Sequence, residues 1–273
     1  MKIVVFCLLV LFAQLQASAH EFWLEPQKFS YQAGDKIFLR WLVGENFTGV
    51  NWGGNKEKTV TLRAFSNNYQ YDLQPFMSME KGDSIKLDTI SYAGNYTIAY
   101  QGNNSFIEIA ADSFNTYLAE DGLVNALQWR KENNKDTARG REYYQRCAKT
   151  LVRIKSTMKK SDFMKSSFIA SATGLLLDIV PLDNPYNLTQ AASMQFNIFF
   201  KHRPLRDGLV RIWHQVNGKT ETKTVQVIQG LINVPIEPTG KWMISIVKME
   251  PLKGDAKADW QSYWGSLTWG YND

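Results

Sequence analysis

Trp213-His214-Gln215-Val216-Asn217-Gly218-Lys219-Thr220-Glu221-Thr222-Lys223-Thr224-Val225-Gln226-Val227 holds two β-compatible runs separated by two residues, and its reading decides the fold class. Asn217 and Gly218 both tolerate positive φ, which a tight two-residue turn between antiparallel strands demands. A hairpin spanning 208–229 follows. Working outward, 194–201 and 241–249 are further short runs rich in β-branched and aromatic residues, and 175–180 is an extended apolar run closed by Pro181. The tail, Asp259-Trp260-Gln261-Ser262-Tyr263-Trp264-Gly265-Ser266-Leu267-Thr268-Trp269, is too aromatic for a free end and predicts a last strand that docks back on the body.

The first hundred residues after position 22 carry the same signals. Runs at 36–43, 58–65, 84–87, 94–100 and 105–109 alternate with Gly34-Asp35, Gly53-Gly54-Asn55, Gly82-Asp83 and Gly102-Asn103-Asn104, which is turn chemistry. The stretch 90–98 has the character of a corner feeding a strand of an immunoglobulin-like sheet. Between the two β-rich regions the pattern changes. Residues 114–133 and 137–158 lose alternation and gain charges at three- and four-residue spacing, which predicts two helices joined by Glu132-Asn133-Asn134-Lys135-Asp136. Tyr144, Cys147, Ala148, Leu151 and Ile154 line the expected buried stripe of the second helix. Glu120-Asp121 is expected at a helix start, where carboxylates suit the dipole. The expected organisation is mainly β: a signal peptide over 1–19, an N-terminal β-sandwich over 20–112, a short helical connector over 113–165 and a C-terminal β-sandwich over 166–273, both sandwiches immunoglobulin-like.

With 273 residues the chain is long enough for two cores. Thirty-one basic residues against 26 acidic give a formal net charge of +5. That charge is dispersed, and the most basic region, 149–165, has Asp162 close behind Lys159-Lys160, so nucleic acid is not an expected partner. The cysteines are Cys7 and Cys147. Cys7 leaves with the signal, so no internal disulfide is available to the mature chain, and Cys147 reads as a small buried apolar residue. No Gly-x-Ser-x-Gly elbow, His-Glu-x-x-His or glycine-rich phosphate loop is present, so the chain is not expected to be an enzyme.

The start of the chain carries the functional signal. Lys2, the ten apolar residues 3–12 and Ala17-Ser18-Ala19 form a secretory signal peptide. The apolar run is well short of the roughly 20 residues that cross a bilayer, so it is cleaved and the mature chain has no membrane span. Cleavage after Ala19 makes His20 the first mature residue, with an α-amine and an imidazole that close a chelate ring on one metal ion. Their reference pKa values, about 7.7–8.0 and 6.5, let a transition metal displace the protons near neutrality. His202 and His214 complete the histidine inventory. The economical metal site is His20 with one of these two and a carboxylate or tyrosine, a donor set that favours Cu(II) or Ni(II).

His20-Glu21-Phe22-Trp23-Leu24-Glu25-Pro26, Gly174 with Asp178-Ile179-Val180-Pro181-Leu182 and Asn184-Pro185-Tyr186, His202-Arg203-Pro204-Leu205 through Val210-Arg211-Ile212-Trp213, Gly240-Lys241-Trp242, and 260–267 occur in an order that resembles the exported bacterial family gathered as domain of unknown function 4198. The turn Phe200-Lys201-His202-Arg203-Pro204 departs from the family, which commonly has a glycine there. The resemblance implies a periplasmic protein associated with cobalt or nickel uptake, with a membrane uptake system as partner; taken with the donor set at His20, the expected bound ion is nickel, cobalt or copper. The alternative is a carbohydrate- or protein-binding sandwich module of the cell envelope that uses aromatics such as Trp41, Trp52, Trp213 and Trp264 and binds no metal.

Overall fold

A computed structural model describes residues 21–52, 56–66, 69–77, 85–87, 93–155 and 170–271. The expected signal segment 1–19, His20, the turns at 53–55 and 82–83, the start of the corner at 90–98, and the basic residues after 155 lie outside the described residues.

The chain is mainly β. Strands β1 Glu21–Pro26, β2 Ser30–Gln32, β3 Ile37–Glu45, β4 Thr48–Asn51, β5 Thr59–Ser66, β6 Tyr69–Asp72, β7 Ile85–Leu87, β8 Gly94–Gly102 and β9 Ser105–Ile109 come first. Helices α1 Ala111–Glu120 and α2 Val124–Glu132 follow. Then come β10 Gly140–Lys155, β11 Leu177–Pro181, β12 Ala192–Phe200, β13 Arg203–Pro204, β14 Leu209–Val216, β15 Lys219–Gln226, β16 Leu231–Ile236, β17 Lys241–Pro251 and β18 Trp260–Gly270. The hairpin β14–β15 turns at Asn217 and Gly218, with φ of 51° and 78°, as the Asn-Gly pair predicts.

One ten-stranded sheet forms the middle of the molecule, in the order β15-β14-β17-β18-β10-β8-β5-β6, with β2 and β9 also paired to β10. Alternation of side chains decides what covers each face. Ala148, Val152 and Ile154 of β10 and Tyr96, Ile98 and Tyr100 of β8 meet Phe22, Leu24, Leu39 and Trp41 from the sheet β1-β3-β4. The intervening residues Cys147, Leu151 and Ala99 face the other way. They meet Leu177, Ile179, Phe196, Ile198 and Val234 from the sheet β11-β12-β13, to which β16 adds. Both sandwich regions are therefore built on one shared sheet. Burying each of these Leu, Ile or Phe side chains contributes about 1.5–3 kcal/mol.

The expected helix at 137–158 is instead β10, the central strand. It pairs in parallel with β18, from Glu142↔Trp260 to Thr150↔Thr268, and antiparallel with β9 and β8. A strand buried on both faces need not alternate polar with apolar, and the charges that suggested a helix find distant partners: Lys149 Nζ lies 2.5 Å from Asp178 Oδ1, both side chains almost wholly buried. Cys147 is buried as expected, on a strand. The expected helix at 114–133 is two shorter helices, broken at Asp121-Gly122, where Gly122 has φ of 66°. They pack Phe114, Tyr117, Leu118 and Ala126 against Met249 and Trp260. At Gly140 a Cβ would come 2.1 Å from the Phe114 ring, so the entry to β10 requires glycine for α1 to sit this close.

Beneath α1, Glu142 accepts hydrogen bonds from the Ser262 hydroxyl and, at 3.4 Å, from Tyr117, while its Oε2 is buried with no hydrogen-bond partner among the described residues. Burial pushes this carboxyl up to about 7, against the pull of those hydrogen bonds. The folded protein thus holds this proton more tightly than an unfolded chain, where the carboxyl titrates at 4.5. The group costs nothing below pH 4.5 and destabilises increasingly as pH rises to 7, by about 3 kcal/mol once the titration is complete. Glu142→Gln is expected to be more stable than wild type at pH 8 and no more stable at pH 4.5. Urea unfolding at both pH values checks this, and an unchanged difference would show that Glu142 stays ionised at no cost.

Candidate functional site at the start of the first strand

β1 is buried at every one of its six positions, which is unusual for a run that contains two glutamates. Its alternation explains how. Phe22 and Leu24 enter the core between the β1 sheet and the central sheet, whereas Glu21, Trp23 and Glu25 point toward β14 and β17. Trp23 packs with Leu42, Phe47, Trp213 and Met243. Glu25 accepts from Lys241 Nζ at 2.7 Å and from the Trp23 indole at 2.8 Å. Buried carboxylates persist only when paired and hydrogen-bonded, and Glu25 meets that condition.

Glu21 is different. Its Oε1 lies 3.3 Å from Arg211 Nη1, and the same nitrogen also contacts Asp121 Oδ1. Arg211 Nη2 donates to the Glu120 carbonyl at 2.7 Å, so one guanidinium holds the C-terminal turn of α1 and the first described residue of β1 together. The Ser245 hydroxyl, fixed by the Trp213 indole at 3.0 Å, lies beside the Glu21 carboxyl. Two carboxylates that are almost wholly buried thus share one cation, and Asp121 Oδ2 is buried with no hydrogen-bond partner among the described residues. Burial, set against the Arg211 charge, pushes Glu21 above the usual carboxylate range and Asp121 up to about 7. The cluster can accept a further proton or an added positive charge.

Local sequence explains why Asp121 reaches this spot. Gly122 ends α1 in a left-handed conformation and packs so closely on β14 that a Cβ would sit 2.6 Å from Leu209. The pair Glu120-Asp121 therefore ends a helix rather than starting one. A carboxylate there opposes the helix dipole, and Arg211 offsets it.

The sequence-derived histidines fall as follows. His20 lies outside the described residues and immediately precedes Glu21 in the sequence. His202 sits in the exposed turn between β12 and β13, where Lys201 and His202 both adopt positive φ, 47° and 64°. His214 is on β14, but with Ile212 and Trp242 it faces away from Glu21, Trp213 and Met243. Its ring stacks on Trp242 at 3.8 Å, and Nε2 is 3.0 Å from the Thr239 carbonyl. His214 pairs with one end of β17 at Trp242, while Lys201 is ion-paired to Glu250 near the other end, eight strand residues or about 26 Å away. One metal ion cannot take both. Among the described residues no group of three or more His, Cys, Asp or Glu is arranged to hold a metal.

Of the tryptophans considered for stacking sugars, Trp41 and Trp213 are buried. Trp52 is packed against Phe22 and Tyr100, and Trp264 is stacked on Tyr117. They serve the core. Asp121 and Arg211 were not legible as site residues; the Asp121-Gly122 dipeptide signals a turn, but nothing in sequence joins it to residue 211.

A model of the family described as Domain of unknown function (DUF4198) matches residues 17–250. No curated protein matches. Among solved structures, the chain is similar to the D0-D1 domain of intimin, with 11% identity and a TM-score of 0.22 over 90% of this chain and 97% of that one. It is also similar to a segment of two fibronectin type-III domains from chicken tenascin, with 12% identity and a TM-score of 0.19 over 90% and 98%.

Proposed function

The chain belongs to the family of domain of unknown function DUF4198, and from that premise we propose that it is an exported, periplasmic, non-enzymatic protein that binds nickel, cobalt or copper at His20 and passes the ion to a membrane uptake system. The observation that supports this reading is the buried pair Glu21 and Asp121 sharing a single guanidinium, one residue from His20. A surplus of buried negative charge favours a cation nearby, and a mature chain starting at His20 supplies two nitrogen donors beside it. The ion is cargo, held by the amine and imidazole of His20 with a carboxylate of this cluster. His202 and His214 are not needed. No helix among the described residues is long and apolar enough to cross a membrane.

Calorimetric titration of the metal-stripped chain beginning at His20, with Ni(II), Co(II), Cu(II) and Zn(II) in turn, tests the reading. One ion bound with Kd near or below about 1 μM is expected for at least one of the first three, weakened at least about a hundredfold by His20→Ala. Binding no tighter than about 1 mM for every metal, equivalent to −4.1 kcal/mol, would end the metal reading.

A further inference from the structure

A second site lies away from the first strand. Between α2, the segment 133–139 and the first residues of β10 and β18 there is a cavity of about 260 Å³, lined by Trp129, Arg130, Lys135, Arg139, Arg141 and Asp259 among others. Four cations face it with one carboxylate. The Arg141–Asp259 pair, joined by two hydrogen bonds of 2.9 and 2.7 Å, forms a fixed wall, and Arg139 is engaged by Glu108. Arg130 is differently placed. Its residue is 2% exposed, lies over the Phe114 ring, and hydrogen-bonds to neutral acceptors, Asn115 Oδ1 at 2.9 Å and the Ala138 carbonyl at 2.6 Å. Asp136 and Asp259 act on Arg130 through charge without hydrogen-bonding to it, so beside Lys135, in a lining of four cations and one carboxylate, its guanidinium leaves positive charge for an anion to complement, and the planar fork of Arg suits a carboxylate or phosphate. Trp129 supplies the other half of the recognition. It is 38% exposed and is braced edge-to-face, at 5.2 Å, by the buried Trp260. A rigid, partly exposed indole next to cations suits a ring with one apolar face and one acidic group.

We propose that this cavity binds an anionic monosaccharide unit, its sugar ring against Trp129 and its acidic group between Arg130 and Lys135. The volume takes one ring, as a free sugar or as a terminal unit of an acidic envelope glycan. The site is separate from the one at Glu21, and neither depends on the other.

The test uses glucuronate, glucose 6-phosphate and uncharged glucose as probes, titrated into the whole mature chain and followed by NMR shifts of the tryptophan indole protons. Trp129→Ala and Lys135→Ala are surface changes whose folding is checked by circular dichroism, and Lys135→Arg is the conservative control. Saturable binding of glucuronate or glucose 6-phosphate, at least about tenfold tighter than glucose, weakened about tenfold by each alanine variant and restored by Lys135→Arg, supports the site. The stronger of the two acidic probes identifies the group as carboxylate or phosphate. Equal affinity for glucose, binding unchanged in Trp129→Ala, or no saturable shift with either acidic probe overturns it.

Discussion

Lys149→Met is expected to lower folding stability by about 3–5 kcal/mol, because it leaves the carboxylate of Asp178 buried beside an apolar side chain. Against a total of roughly 5–15 kcal/mol for a folded chain, that loss threatens folding itself at 37 °C. The pair sits at the junction of the two sandwiches: Lys149 is on the shared strand β10, and Asp178 is on β11 of the covering sheet. Asp178 has a second duty, since its Oδ2 accepts from the Thr173 amide at 2.6 Å and from the Thr173 hydroxyl at 3.0 Å. Removing both charges in Lys149→Met/Asp178→Leu should therefore recover only part of the loss, the remainder being the orphaned Thr173 donors. Denaturant unfolding of the two variants measures both quantities. A single substitution costing less than about 1 kcal/mol would mean that the buried pair contributes little and that Asp178 is retained for Thr173 alone.

Arg211→Met should be of similar size, about 3–5 kcal/mol at neutral pH, since it strands two buried carboxylates against each other. Its pH dependence distinguishes it from a packing defect. Glu21 and Asp121 already titrate above the usual carboxylate range, and losing the guanidinium raises both further. Each then binds its proton more tightly in the folded state than in the unfolded one, so the penalty is largest above pH 7 and shrinks as pH falls toward 5. Urea unfolding of wild type and variant at pH 5 and pH 8 gives the answer. A deficit that is the same at both would show that Arg211 acts only by packing.

Local signals were the legible part of this fold. Asn217-Gly218 needs nothing beyond its own backbone preferences to form a turn, and the aromatic tail needs only its apolarity to require docking, as β18 does. β10 was illegible for the opposite reason. Its Glu142, Lys149 and Thr150 are answered by Ser262, Asp178 and Thr268, residues that only tertiary structure brings near. β16 was hidden by Pro235, which argues against a strand; among the described strands β16 pairs with β12 alone, so a missing amide on its free side costs no sheet hydrogen bond. The candidate site was hidden in the same way. Glu21 adjoins His20 in the sequence but was not singled out there, since its burial beside Arg211 is tertiary, and Asp121 and Arg211 arrive through a helix end and a strand 90 residues apart. Which of His202 and His214 could join His20 was not legible in sequence, because the face a strand histidine takes is set by its neighbours: His214 is engaged by Trp242 and Thr239 on the face opposite Trp213 and Met243.

The most direct measurement is the electron paramagnetic resonance spectrum of the chain processed to His20 and loaded with about one equivalent of Cu(II). The account predicts nitrogen superhyperfine splitting from the amine and imidazole of a single residue, retained in His202→Gln and His214→Gln and diminished in His20→Ala. Splitting that is unchanged in His20→Ala, or that is lost in His214→Gln, would contradict a metal site at the start of the first strand.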